Sequence, residues 1–272
     1  MKKRTSLGLY IFLLLVAVVQ LLPLLVTVLN SLRFDKDIKK FPVGIPLHPQ
    51  FNNYLRAWNV GGYSTAFINS MAISMIASLV ILILAMISGY FLARLSTRLK
   101  NYLILYYGVA LSIPVFSFMV PLYFRFSEWG LVNTHTGIII IYVALNLPFN
   151  ILLARTFISD IPISLDEAAT IDGCSSYQIL WQIIFPLSKP VVTTILLIVF
   201  VATWNEFTLA NTFLQIPEMK TAATRYVLFV GERGADLSMV YAAGVITMLP
   251  IIVAFIALQN YFIEGMTSGS IK

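Results

Sequence analysis

Long stretches of this sequence pass without a charged side chain. They run from Thr5 to Leu32, from about Phe67 to Ala93, from Asn101 to Phe124, from Gly137 to Ala154 and from about Leu237 to Ile263. A further one, from about Val191 to Leu214, is interrupted only by Glu206. Crossing the hydrocarbon of a bilayer takes about 20 helical residues. Backbone N–H and C=O groups there must be paired within the chain, so only helices and closed barrels span. Barrel strands alternate polar and apolar side chains over about ten residues, and these stretches do not. The chain is therefore expected to be an all-α membrane protein with six transmembrane helices.

Composition agrees. Only 11% of the 272 residues are charged and 59% are hydrophobic, with a mean hydropathy of +0.87. An ordinary soluble domain is about 25% charged. The net charge of +6 does not call for nucleic acid, because Lys and Arg cluster beside apolar runs, as anchors at a lipid headgroup layer do. A single cysteine, Cys174, excludes an internal disulfide and a cysteine metal cluster; it is read as packing. With only His48 and His135 besides, no metal or cofactor is expected.

The basic start Met1-Lys2-Lys3-Arg4 precedes an apolar run longer than the roughly 7–15 residues of a signal peptide, with no small-x-small cleavage site. It is read as a retained first span. Lys and Arg divide equally between the two sides. The weight of the first helix and of the short loop "RLSTRLK" then favours both termini in the cytoplasm. Residues 33–66 read as an ordered outer loop and 125–136 and 215–236 as polar loops. Trp58 and Trp129 read as interfacial belt residues, and Gln259 and Asn260 as interfacial.

Between the fourth and fifth spans lies "EAATIDGCSSYQILWQIIFPLSKP", residues 167–190. Ser164 and Glu167 have the spacing of a capping box, in which the hydroxyl takes a free N–H and the carboxylate reaches back. Asp166 and Glu167 suit the positive helix end. Gly173 offers a left-handed stop, Ser175 and Gln178 repeat the box, and Pro186 and Pro190 mark an exit towards the fifth span. Two readings stay open on physics alone. The segment is an interfacial loop structured by its caps, or it is a docking knob, with small residues admitting another surface and a carboxylate beside them awaiting Arg or Lys.

Glu167-Ala168-Ala169, Gly173 after three further residues, and Ile183-x-Phe185-Pro186 resemble the EAA motif of ABC importer permeases, with Phe185 where Leu is usual. Trp204-Asn205-Glu206-Phe207 and the closing "AAGVITMLPIIVAFIALQNYFIEGMTSGSIK" resemble the MalG-type subunits of carbohydrate ABC importers. The likeness covers nearly the whole chain. It implies a MetI-like type 1 permease fold over residues 67–259, preceded by a helix and outer loop (1–66) and followed by a short cytoplasmic tail (260–272). It implies a bacterial plasma-membrane location and a cytoplasmic coupling helix, with Glu167, Ala168, Ala169, Asp172 and Gly173 seated on a separate ATPase. It further implies a MalF-type second permease, two ATPase copies, and an extracytoplasmic sugar-binding protein meeting the outer loops.

No G-x-x-x-x-G-K-[ST] sequence occurs, so the energy source is expected on another subunit and the chain is not expected to be an enzyme. Glu206 is the one acid inside an expected span and costs about 2.5–3.5 kcal/mol at the bilayer centre. With Trp204 and Asn205 it either lines a sugar path or makes a structural hydrogen bond across a helix interface. Asn146 and Asn150, around Pro148, carry the same two readings, the second being to satisfy carbonyls freed by the proline. An ion-driven secondary transporter would show internal repeats, broken helices and more intramembrane acids. Within the importer reading, a polyol or glycerol phosphate is the alternative to a sugar.

Overall fold

The computed structural model describes residues 7–230 and 236–268. The basic start at residues 1–4, part of the 215–236 loop and the last residues lie outside them, as does the Asn260 side chain. Among the described residues all regular structure is helical. The helices are α1 (Leu7–Ser31), α2 (Asp35–Lys40), α3 (Asn52–Gly61), α4 (Tyr63–Arg94), α5 (Arg98–Ser112), α6 (Met119–Glu128), α7 (His135–Ser159), α8 (Ser164–Ile171), α9 (Ser176–Ile179), α10 (Phe185–Leu187), α11 (Lys189–Asn205), α12 (Thr208–Phe213), α13 (Ala222–Val230) and α14 (Leu237–Ser268).

Apolar helices occupy all six expected positions. Four of them, α1, α4, α7 and α14 to Ala257, are each long and apolar enough to cross a membrane. A fifth is the bent pair Ser176–Leu187 and Lys189–Asn205. The third expected span differs from a simple rod: α5 stops at Ser112, a 3-10 turn covers Val115–Ser117, and α6 follows. Pro114 is the cause. It disfavours helical geometry in the residue before it, and Ile113 is extended (φ −80°, ψ 120°). The fifth is shorter than expected, ending at Asn205. The outer loop 33–66 is ordered, as expected, and carries α2 and α3.

The chain forms two compact units. One comprises residues up to Thr65 with Thr224–Pro250. Here the end of α1 is tied to the following loop. Arg33 donates to the Asn30 side chain (2.8 Å) and to the Phe41 and Asp37 carbonyls. Asn53 donates to the Ser31 and Arg33 carbonyls, 3.0 Å each. Asp35 caps the start of α14 by accepting from Leu237 N at 2.8 Å. Burial pushes the Asp236 carboxyl up, but hydrogen bonds from Ser238, Met239 N–H and Arg56 outweigh it and hold the group below the usual carboxylate value.

The second unit comprises Ala66–Ala223 with the residues from Ile251 on. Its core joins α4 (Ile73, Ile81, Met86), α7 (Ile138, Ile151, Ile158) and α11 (Val191, Ile195, Val199). Without a hydrophobic driving force between spans, close packing of small residues has to hold helices together in lipid. Gly89 of α4 supplies it: a β-carbon there would lie 2.8 Å from Ala154 Cβ and 2.9 Å from Arg155 N of α7. Gly89→Val is expected to lower the melting temperature of the detergent-purified protein by forcing α4 and α7 apart, a cost of about 1–3 kcal/mol. Gly108→Ala, at a helical site with nothing within 4 Å, is expected to leave it unchanged or raised. Equal melting of both variants contradicts the close-packing account.

Candidate functional site

The segment between α7 and α11 is built by local rules. Pro162 and Ile163 already supply carbonyls to the first turn of α8: Leu165 N bonds Pro162 O, and Asp166 N and Glu167 N bond Ile163 O. Ile163 is itself helical and is the N-cap, with no side-chain cap. The box expected at Ser164 and Glu167 therefore does not form, because Ser164 is already inside the helix and the N–H groups it would have taken are used. The second box does form. Ser175 N donates to Gln178 Oε1 at 2.8 Å, and Gln178 N donates to Ser175 Oγ at 3.4 Å.

Gly173 ends α8 as expected, with φ +84°. Cys174 N reaches back to Ala169 O at 2.9 Å and Gly173 N to Thr170 O at 3.0 Å. This is the paired closure of a helix that stops in the left-handed region. Nothing lies within 4 Å of a β-carbon built at Gly173, so the backbone angle alone demands glycine. From Ser176 the chain runs on through a π turn at Leu180–Ile184. Pro186 lacks the N–H that a regular helix would use there, and the widened turn falls just before it. The chain then bends by 82° at Ser188 into α11.

The two acids at the start of α8 face opposite ways. Glu167 and Ala168 are exposed, as are Asp172 and Gly173, and Ile171 is 87% exposed. Asp166 and Ala169 are buried, at 8% and 5% exposed. Asp166 Oδ2 lies 2.7 Å from Arg94 Nη2, and its Oδ1 accepts from Tyr90 Oη at 2.9 Å. Arg94 also donates to the carbonyls of Ile158 (3.3 Å) and Ile161 (3.2 Å). Sequence reasoning placed Asp166 only as a helix-end charge and did not foresee Arg94 or Tyr90. The available signal was the i, i+4 pair Tyr90 and Arg94 closing α4.

The second group of site residues lies where α11 stops. Glu206 is half-buried in the break before α12. Its Oε1 accepts from Leu209 N (2.8 Å), and its Oε2 accepts from Ala210 N (2.9 Å) and from Tyr142 Oη (2.8 Å). It thus takes the N–H groups that a capping residue takes, at the positive end of α12. Tyr142, on α7, was missed in the sequence although it shares a face with Asn146 and Asn150 at four-residue spacing. Asn146 donates to Tyr142 O at 2.8 Å and Asn150 to Asn146 O at 2.7 Å. Neither carbonyl is that of Ala144, the one Pro148 leaves without its donor, so the expected repair of the freed carbonyl by these two side chains does not form. Trp204, 1% exposed, packs edge-on to Phe67 and stacks on Phe200, while Asn205 is exposed. Clefts of about 330 and 390 Å³ are lined almost wholly by apolar groups, among them Met75 and Phe200 in one and Phe126 and Ile140 in the other. Neither is lined by Tyr142, Asn146, Asn150, Trp204, Asn205 or Glu206. Among the described residues no three His, Cys, Asp or Glu converge as a metal site would need.

Comparison with known proteins bears on this arrangement. Residues 82–268 match the model of the family described as binding-protein-dependent transport system inner membrane component. The chain is 36% identical over 262 residues to the melibiose/raffinose/stachyose import permease protein MelC of Bacillus subtilis, covering 95% of this chain and 94% of that one. It is 30% identical to the galactooligosaccharides transport system permease protein GanQ of the same organism, covering 97% and 94%. It is 29% identical to the diacetylchitobiose uptake system permease protein NgcG of Streptomyces coelicolor, covering 96% and 87%. A chain in the crystal structure of a bacterial ABC transporter involved in the import of the acidic polysaccharide alginate shares the fold, with a TM-score of 0.78 at 23% identity over 93% and 94% of the two chains.

Substitutions at two positions test the local geometry. Gly173→Ala is expected to weaken the end of α8 by about 1 kcal/mol, read as roughly fivefold faster hydrogen exchange at Gly173 and Cys174. Gly173→Asn, which tolerates the left-handed region better, is expected to show less. Glu206→Gln is expected to speed exchange at Leu209 and Ala210, reflecting a loss of about 1–2 kcal/mol of capping. Unchanged exchange at those amides contradicts the capping role.

Proposed function

This chain belongs to the family of binding-protein-dependent transport system inner membrane components, and on that premise we propose that it is one of two unlike permease subunits of a sugar importer. In that arrangement α8 docks on a separate ATPase. The observation that carries the proposal is the two-sided α8: Glu167 and Ala168 stand free on a short helix whose other side is pinned by the buried Asp166. A free carboxylate beside a small residue suits a close-fitting basic partner. Ala169 and Gly173 complete the element by packing and by termination, and Asp172 lies at its exposed end.

Membership of the family associates the chain with a binding protein and other transporter subunits in an inner membrane. The proposal goes further: a MalF-type permease, two ATPase copies, a sugar-binding protein on the outer loops, and both termini in the cytoplasm. The permease domain is proposed over residues 67–259, with α1 and its loop in front. ATP binding closes the ATPase pair, moves the coupling helices together and selects the outward-open path. Half-buried Asn146 and exposed Asn205 are proposed to face that path. Trp204 and Asn150, each 1% exposed, support its wall, and Glu206 holds the break beside it.

Sugar as substrate is favoured because the relatives MelC, GanQ and NgcG are named as saccharide permeases. ATP-loaded inside-out membrane vesicles do not present the outer face, so uptake is measured in whole cells. Unlabelled melibiose, raffinose and galactooligosaccharides are set against glycerol phosphate and sorbitol as competitors of radiolabelled melibiose. Competition by the saccharides, lost in Glu167→Lys cells that still insert the chain, is the expected result. Competition by glycerol phosphate or sorbitol and by none of the saccharides contradicts the sugar assignment.

A further inference from the structure

We propose that Asp166 is a positioning residue that carries the displacement of α8 into α4, through its ion pair with Arg94. This rests on the reading of α8 as the helix that docks the ATPase. The chain itself joins α8 to α7 on one side and, through the 82° elbow, to α11 on the other. It offers α4 no covalent route to that motion, because more than sixty residues of chain lie between them. Side chains must make the link, and at one guanidinium they do.

Arg94, the last residue of α4, holds Asp166 of α8 at 2.7 Å and the Ile158 and Ile161 carbonyls at the end of α7. Tyr90, one turn earlier in α4, donates to the other Asp166 oxygen. Three segments therefore meet on a charge pair whose side chains are 16% and 12% exposed. Arg125–Glu128, by contrast, is 61% and 63% exposed and joins two neighbours in one helix. An exposed pair of that kind yields readily to water and salt, whereas a buried one is screened much less. Removing one partner of a buried pair leaves the other charge uncompensated. Glu167 then receives the ATPase, and Asp166 passes the movement on.

The test uses the whole importer, purified with its partners and placed in lipid nanodiscs. Cys174→Ser removes the native thiol. Spin labels are attached at Ser96→Cys, just beyond α4, and at Ser164→Cys, at the start of α8. Their separation is measured by pulsed electron resonance without nucleotide and after trapping with MgATP and vanadate. With Asp166 present, the two states are expected to give the same separation. In Asp166→Asn the separation is expected to shift on trapping, and in Asp166→Glu, which keeps the negative charge beside Arg94, it is expected not to. A purely packing role would alter both states alike. The proposal is overturned by a state-dependent shift with Asp166 intact, or by no shift in Asp166→Asn. If Asp166→Asn does not assemble, Arg94→Gln, which removes the same pair from its other side, is read in its place with the same two outcomes. A Glu167→Gln complex that retains full ATPase and uptake overturns the docking reading itself, separately from the link.

Discussion

Away from water, in hydrocarbon or in a packed interior, a backbone amide or carbonyl needs a partner within the chain, and an uncompensated charge is costlier still. That single constraint explains both where this chain is regular and where it is not. α4 runs for 32 residues because nothing from Tyr63 to Ala93 breaks it. Where the helices do stop, a side chain or a special backbone angle meets the exposed groups. Glu206 takes two N–H groups at the start of α12. Asn133 takes Gln215 N and Ile216 N in a nearby turn. Gly173 lets α8 close on its own carbonyls, and Arg94 takes two carbonyls at the end of α7.

The same constraint separates two neighbouring acids. Asp166 points into apolar surroundings and is stable there only with Arg94 and Tyr90. Glu167, one residue on, is turned by the helix to the outside and is exposed. A short helix that is fixed on one face and presents a charge on the other can pass on a push. A loop held by its caps alone would yield to it.

The apolar spans, the left-handed stop at Gly173 and the Ser175–Gln178 box were legible in the sequence, because each rests on neighbours within a few residues. The Ser164 box was misread for the same reason: its spacing fits, but Ile163 had already entered the helix. The break after Ile113 was signalled by Pro114 and passed over in favour of hydropathy. What the sequence could not show was pairing at long range. Arg94 with Asp166, and Tyr142 with Glu206, are separated by more than sixty residues, and no local pattern selects one partner over another. Trp204 and Asn205 look alike as path candidates in the sequence, yet one is buried against Phe67 and Phe200 and the other is exposed.

The central claim is that this chain works by docking an ATP-hydrolysing subunit on α8. The most direct measurement is recovery of the tagged chain from its own membranes in mild detergent, with quantitative mass spectrometry of what accompanies it. The account predicts a second, unlike permease in equal amount and two ATPase copies for each copy of this chain. Recovery of the chain alone or as a homodimer, moving solute in sealed vesicles without ATP, would contradict it.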